Sequence, residues 1–213
     1  MAILQSVNIG QPRPIPAKSA MTGIYKEPIA QDAEVEVTRQ GLEGDAIINR
    51  KHHGGVDQAV YVYFADDYAY WSKVLERDIA PGTFGENLTI GGVEGREVAV
   101  GDRFEIDDVV LEVTSHRTPC AVFAARMGNP AWLKQFMKAG RPGAYCRVIE
   151  PGHLKGGEPV LHRPFDGDRI TVSQLLALEG ARDIEPELMQ RILRTPVHYK
   201  MRADYEQRLA TLF

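Results

Sequence analysis

Cys120 is the residue whose neighbours best equip it for chemistry. It closes the run Ser115-His116-Arg117-Thr118-Pro119-Cys120, after a strand-like stretch at 109–114. Positive charge beside a thiol lowers its pKa and favours the thiolate, the form that attacks electrophiles and binds metals. His116 and Arg117 offer that charge; Ser115 and Thr118 add hydroxyl donors. The plainer reading is a buried structural cysteine, because unpaired cysteines are among the most buried residues. The second cysteine lies in Tyr145-Cys146-Arg147-Val148-Ile149. Strand alternation puts Tyr145, Arg147 and Ile149 on one face and Cys146 with Val148 on the other. Arg147 then reaches a pocket, where its fork suits a phosphate, or a surface carboxylate. Cys146 belongs to the core.

Two further segments carry polar chemistry. In Lys51-His52-His53-Gly54-Gly55 three potentially cationic side chains precede two glycines. Gly54 and Gly55 let the backbone approach a ligand closely and expose N–H groups to an anion. The same residues also read as a flexible polar turn. Phe84-Gly85-Glu86-Asn87-Leu88 offers a carboxylate and an amide, a pair suited to a heterocycle edge, or else a turn before a strand. Asp45 and Asp57 read as turn residues.

Positioning these groups falls to a β-rich chain. Residues 3–9, 59–64, 98–100, 103–106, 109–114, 144–150 and 159–162 have strand patterns, and 33–39 alternates with Val35 and Val37 on one face. Gly101-Asp102 and Asp107-Asp108 are hairpin-like turns, and Pro151-Gly152-His153 turns the chain. Helices are expected at 66–77, capped by Asp66 or Asp67, at 121–128, and at 132–139. After Gly167 the texture changes to three helices, at 171–179, 186–194 and 197–209, with Thr171 or Ser173 as a cap and Pro186 in a first turn. Many short strands with glycine-rich turns argue for a β-barrel, mainly β with some α. A helical tail this short packs on the barrel or on a second subunit.

The 213 residues suffice for one well-cored domain, or one with a small appendage. A net charge of −4 gives no reason to expect nucleic-acid or membrane partners. Two cysteines make no disulfide framework, and no secretory signal pattern is present, so a reducing cytoplasm is expected. No apolar run approaches a bilayer span.

Taken in order, Gly41-Leu42-Glu43-Gly44-Asp45, Lys51-His52-His53-Gly54-Gly55, Phe84-Gly85-Glu86-Asn87-Leu88, Val100-Gly101-Asp102, Pro119-Cys120 and Gly143-x-Tyr145-x-Arg147-Val148 resemble the MOSC domain, named for the C-terminal region of molybdenum cofactor sulfurase. The closest likeness is to the YiiM-type stand-alone members. The resemblance covers residues 30–165. It implies a MOSC-type β-barrel domain at 1–166, with short interspersed helices, and a C-terminal helical segment at 167–213. It also implies that the chain binds the pterin-based molybdenum cofactor with Cys120 as its Mo ligand, a soft thiolate suiting a dithiolene-bound metal. YiiM-type relatives reduce small N-hydroxylated bases such as 6-hydroxylaminopurine.

Residue chemistry and motif position then offer Lys51, His52, His53, Arg117 and Arg147 to a phosphate or polar edge. Glu86 and Asn87 are offered to pterin or substrate, Gly54 and Gly55 to close backbone approach, and Ser115 and Thr118 to the metal's surroundings. With no four-cysteine cluster set and no Rossmann fingerprint, electrons must come from a separate donor protein. A homodimer through the helical tail is a further expectation. Three alternatives stay open: a non-redox carrier of cofactor or sulfur using Cys120, a thiol hydrolase pairing Cys120 with His116 or His53, and a zinc site from His52, His116 and Cys120.

Overall fold

The chain's computed structural model describes residues 1–15, 20–48 and 54–211. Its strands are β1 (Ala2–Gly10), β2 (Arg13–Pro14), β3 (Met21–Thr22), β4 (Lys26–Pro28), β5 (Val35–Thr38), β6 (Gly41–Leu42) and β7 (Val60–Phe64). They continue with β8 (Leu88–Gly91), β9 (Arg103–Ile106), β10 (Val109–His116), β11 (Ala144–Glu150), β12 (Gly152–Leu154) and β13 (Pro159–Arg163). The α-helices are α1 (Ala65–Leu75), α2 (Ala121–Arg126), α3 (Trp132–Ala139), α4 (Val172–Ala177), α5 (Pro186–Leu193) and α6 (Tyr199–Ala210).

Seven strands close a barrel in the order β13-β9-β10-β11-β7-β8-β1. The closing pairs are Ala2 with Val160 and Ile3 with Pro159, and β4 extends the edge of β1. The β7–β8 pair is parallel, and α1 makes part of the crossover it requires; the other barrel pairs are antiparallel. β7 shows why the sequence folds this way. Val60, Val62 and Phe64 alternate into the barrel core, while Tyr61 and Tyr63 join an outer aromatic cluster with Trp71, Phe84, Phe123 and Phe136. A strand buried on both faces reads as a continuous apolar run. Helices α1, α2 and α3 supply most of that outer cluster and cover the sheet.

The helical tail packs on the barrel through a third core that includes Val100, Ile170, Leu175 and Ile192. Thr171 begins α4 with a full capping box to Gln174, and Pro186 stands in the first turn of α5. Among the described residues no helix is long and apolar enough to cross a membrane.

Three local expectations are corrected. Residues 98–100 make only an isolated bridge, Ala99 with Thr171, because Val98 and Val100 bond to the start of the helical tail instead of to a strand. Gly152–Leu154 pairs with β5 rather than only turning the chain. Neither Asp66 nor Asp67 caps α1; the cap position is Phe64, and both carboxylates turn to Arg141.

Candidate active site

The segment 115–120 starts in the last two residues of β10, just past a register shift between Val113 and Ser115. That irregularity sends the segment's side chains to different places. Arg117 and Cys120 reach one cavity, while Ser115, His116 and Thr118 line another. Cys120 holds the cap position of α2, where its carbonyl accepts from Ala124 N at 3.0 Å. It is partly exposed and not in a disulfide.

Arg117 is 5% exposed. Its Nη1 donates to Phe84 O at 2.8 Å, and its guanidinium lies 4.6 Å from the Phe123 ring centroid and 5.2 Å from that of Tyr61. Burial works against its charge, but the Tyr61 and Tyr145 phenols and the Cys120 thiol outweigh it and hold the guanidinium above its ordinary pKa. No carboxylate among the described residues stands within ion-pair distance of it. The reverse pressure acts on the phenols. Burial pushes both Tyr61 and Tyr145 up, so both stay protonated, and Tyr61 Oη donates to Pro142 O at 2.7 Å.

The same cavity is lined by an ion pair between Lys26 and Asp45, with side chains 9% and 4% exposed. Asp45 also accepts from Gly10 N at 2.8 Å and from Asn87 Nδ2 at 3.0 Å. Burial lowers the Lys26 pKa against the pull of Asp45. Asn87 ties the wall to β7, its Oδ1 accepting from Tyr61 N at 3.1 Å. Arg126 of α2 clamps the facing segment by donating to Ile24 O and Gly82 O. Gly23 permits that segment to meet its neighbour, since a Cβ there would lie 1.7 Å from Ala46 O. Ile15, Ile24, Ile47 and Val122 add apolar lining. The cavity is about 200 Å³ and opens to solvent.

Of the residues singled out in the sequence, Cys120, Arg117, Asn87 and Gly54 line this cavity. Gly55 opens a short 3-10 turn beside it, at φ 88°. Glu86 does not line it. That side chain is fully buried, with Oε1 accepting from Tyr68 Oη, Gly82 N and Thr89 Oγ1, and burial pushes its carboxyl up. Arg147 turns away to Asp57 at 3.1 Å and to Pro196 O at 3.0 Å. Lys51, His52 and His53 lie outside the described residues.

Cys146 is fully buried, and burial pushes its thiol well up. His116 meets Glu179 at 3.0 Å in the other pocket, so the geometry does not support a Cys120–His116 hydrolase pair. Among the described residues no three His, Cys, Asp or Glu side chains converge as metal ligands. Lys26, Asp45, Tyr61 and Tyr145 are cavity residues that the sequence reading did not propose for the site. Asp45 and Tyr145 carried a signal, since both sit in the quoted motifs.

The MOSC domain model matches residues 49–161. Over 192 residues the chain is 37% identical to YflK of Bacillus subtilis (strain 168), covering 88% of this chain and 85% of that protein. It is 30% identical to a protein named "Reductase" from Gibberella moniliformis, across 83% of this chain but only 32% of the fungal one. The crystal structure of YiiM from Geobacillus stearothermophilus superimposes with a TM-score of 0.80 over 98% of this chain and all of that one, at 24% identity. With the family model spanning more than half its length and a relative above 30% identity aligned almost end to end, the chain belongs to the MOSC domain family.

Proposed function

We propose that the protein holds the pterin-based molybdenum cofactor in the Cys120 cavity and reduces small N-hydroxylated bases to amines. One observation carries the reading: a buried guanidinium with no carboxylate partner among the described residues, Arg117, shares a cavity with the thiol of Cys120. Such a cation is costly unless an anion completes it. The donor set fits the group. Cys120 is the soft ligand, Arg117 answers its negative charge, and Asn87 and the Tyr145 hydroxyl offer hydrogen bonds to a heterocycle.

When bound, the cofactor supplies two-electron redox chemistry that no side chain of this chain provides. The overall change, R–NHOH + 2e⁻ + 2H⁺ → R–NH₂ + H₂O, consumes protons as well as electrons. The protein's part is to bind, orient and protonate. Lys26 and Asp45 form a buried ion pair in the lining of the cavity that Arg117 shares. The Tyr145 hydroxyl remains a donor because burial keeps it protonated, while Tyr61 Oη donates to Pro142 O at 2.7 Å. Ile24, Ile47 and Val122 give the cavity an apolar lining. The electrons enter from a separate donor protein.

The test is molybdenum content by mass spectrometry for wild type and Cys120→Ser, expressed in a host that makes the cofactor. Reduction of 6-hydroxylaminopurine with an artificial reductant is assayed on the same samples. Near-stoichiometric molybdenum with turnover in wild type, and turnover lost in the variant, is the expected result. Molybdenum without turnover would favour a cofactor carrier. Absence of molybdenum from wild type, in a host that loads a control enzyme, would overturn the proposal.

A further inference from the structure

The turn at 54–59 joins the Cys120 cavity to the helical tail. Gly54, Gln58 and Ala59 line the cavity. Asp57, between them in sequence, is not part of that lining. It is 7% exposed, and its carboxylate meets the tail instead. Oδ2 accepts from Tyr199 N at 2.9 Å, and Oδ1 lies 3.1 Å from Arg147 Nη2. Arg147 Nη2 also donates to Pro196 O at 3.0 Å. Tyr199 is the first residue of α6, where a helix leaves its N–H groups without partners of its own. A carboxylate there answers both the N–H and the positive end of the helix.

A second contact runs beside the first. His198 N donates to Thr114 O at 2.9 Å. The Thr114 side chain is fully buried, and its hydroxyl donates to Asp57 O, with Tyr145 O 3.1 Å away. Tyr145 lines the cavity, and Thr114 leads directly into the segment that carries Arg117 and Cys120. Residues 196–199 of the tail are thus tied to the turn at 54–59 through Asp57, and to Tyr145 and the Cys120 segment through Thr114.

The turn needs such a tie. Gly54 and Gly55 leave its entry loosely specified, and its own closure is the short bond from Gln58 N to Gly55 O at 2.9 Å.

We propose that Asp57 is a positioning residue for the Cys120 cavity: anchored to Tyr199 N and Arg147, it lets the helical tail hold the wall formed by Gly54, Gln58 and Ala59. The consequence for cofactor binding rests on the function proposed above; the anchoring of the wall does not.

The experiment removes the Tyr199 N–H alone. Tyr199→Pro does so at little cost to the helix, because proline suits the first helical position. His198 before it, at φ −47° and ψ 134°, already has the extended backbone that proline requires of its predecessor. Tyr199→Ala, which keeps the N–H, is the reference. Two readouts use the cofactor-free chain: hydrogen exchange of the Gln58 amide by NMR, and alkylation of Cys120 by iodoacetamide, for which the fully buried Cys146 does not compete. The third is molybdenum retained after dialysis of protein from a host that makes the cofactor. Against the reference, Tyr199→Pro should exchange Gln58 and alkylate Cys120 about tenfold faster and retain about tenfold less molybdenum. Its melting temperature should stay within about 5 °C. Equal Gln58 exchange in the two variants would overturn the anchor. Faster Gln58 exchange with unchanged Cys120 alkylation would overturn the positioning role, since the turn would then move without consequence for the cavity. Should Tyr199→Pro fail to fold, Asp57→Asn against wild type breaks the contact from its other end and is read by the same two criteria. Absence of molybdenum from wild type would overturn the cofactor reading and leave the two cofactor-free readouts to decide the role of Asp57.

Discussion

Arg117 sets a direct trade between binding and stability. Its charge is buried against aromatic rings and a single carbonyl, so in the empty protein it is a burden. Arg117→Met should therefore leave thermal stability unchanged or raised while molybdenum retention falls roughly 10- to 100-fold. Arg117→Lys should not restore retention, since an ammonium lacks the planar fork. Melting temperature and metal content on the same preparations check both.

Asp67 makes a pH prediction. Burial, against the pull of Arg141, raises its pKa to about 7, and its Oδ2 has no partner among the described residues. A carboxyl whose folded pKa exceeds its unfolded value binds its proton more tightly when folded. Its contribution is thus most favourable below the unfolded value and falls as pH rises toward about 7. The urea-unfolding stability of wild type relative to Asp67→Asn should fall by on the order of 2 kcal/mol between pH 5 and pH 8. An unchanged difference would assign Asp67 a low folded pKa.

Legibility at this scale followed distance along the chain. Cys120 and Arg117 were readable because three positions separate a thiol from a cation. The Lys26–Asp45 pair was not, because only the meeting of β4 with the turn after β6 makes it. Nothing local to Glu86 announces that Tyr68, Gly82 and Thr89 will claim its carboxyl.

Among the elements, the long strands and all six helices were foreshadowed by periodicity, caps and proline. β2 and β3 were not, since two-residue pairings are fixed by partners rather than by pattern. The hairpin turn into β10 was readable at Asp107-Asp108, but the shift near Ser115 that divides residues 115–120 between two pockets was not.

The junction of barrel and tail rests on Asp102, which accepts from Ala99 N, Phe165 N, His162 and Arg169 at 2.7–3.0 Å. Burial raises its pKa, yet these donors outweigh it and hold the carboxyl at about 2. Its stabilisation is present above the unfolded pKa and lost as pH falls through about 2. Asp102→Ala should cost roughly 3–5 kcal/mol, because it strips the partners from buried donors. Chemical unfolding at neutral pH measures this loss, and it should narrow as both proteins are acidified.

For the molecule as a whole, a boundary near residue 167 is a proposal about sequence texture, not about independent folding. The tail supplies a backbone acceptor to Val100 N, its Val172 N donates to Val98 O, and its His198 N donates to Thr114 O. Residues 1–166 alone would expose those groups together with Val100. That fragment should be insoluble or molten, and the whole chain should unfold in one transition with coincident far-ultraviolet circular dichroism and tryptophan fluorescence. Separate transitions would instead make the tail its own folding unit. The barrel was legible from its many short strands and from the resemblance. The pocket lined by His116 and Glu179 was not, because Gln58, Ser115, Glu179 and Met201 share no motif and meet only when the tail docks.

The barrel's seam pairs Ala2 with Val160 and Ile3 with Pro159. During synthesis, β1 must therefore wait until residue 160 has cleared the ribosome before its last hydrogen-bonding edge is covered. Until then it carries an unpaired strand edge, the feature that recruits foreign strands. Non-local closure of this kind also places folding toward the slow end for domains of this size. For this protein the hazard of aggregation belongs to the time of its making, and a chaperone that shields β1 would act on yield rather than on the finished fold.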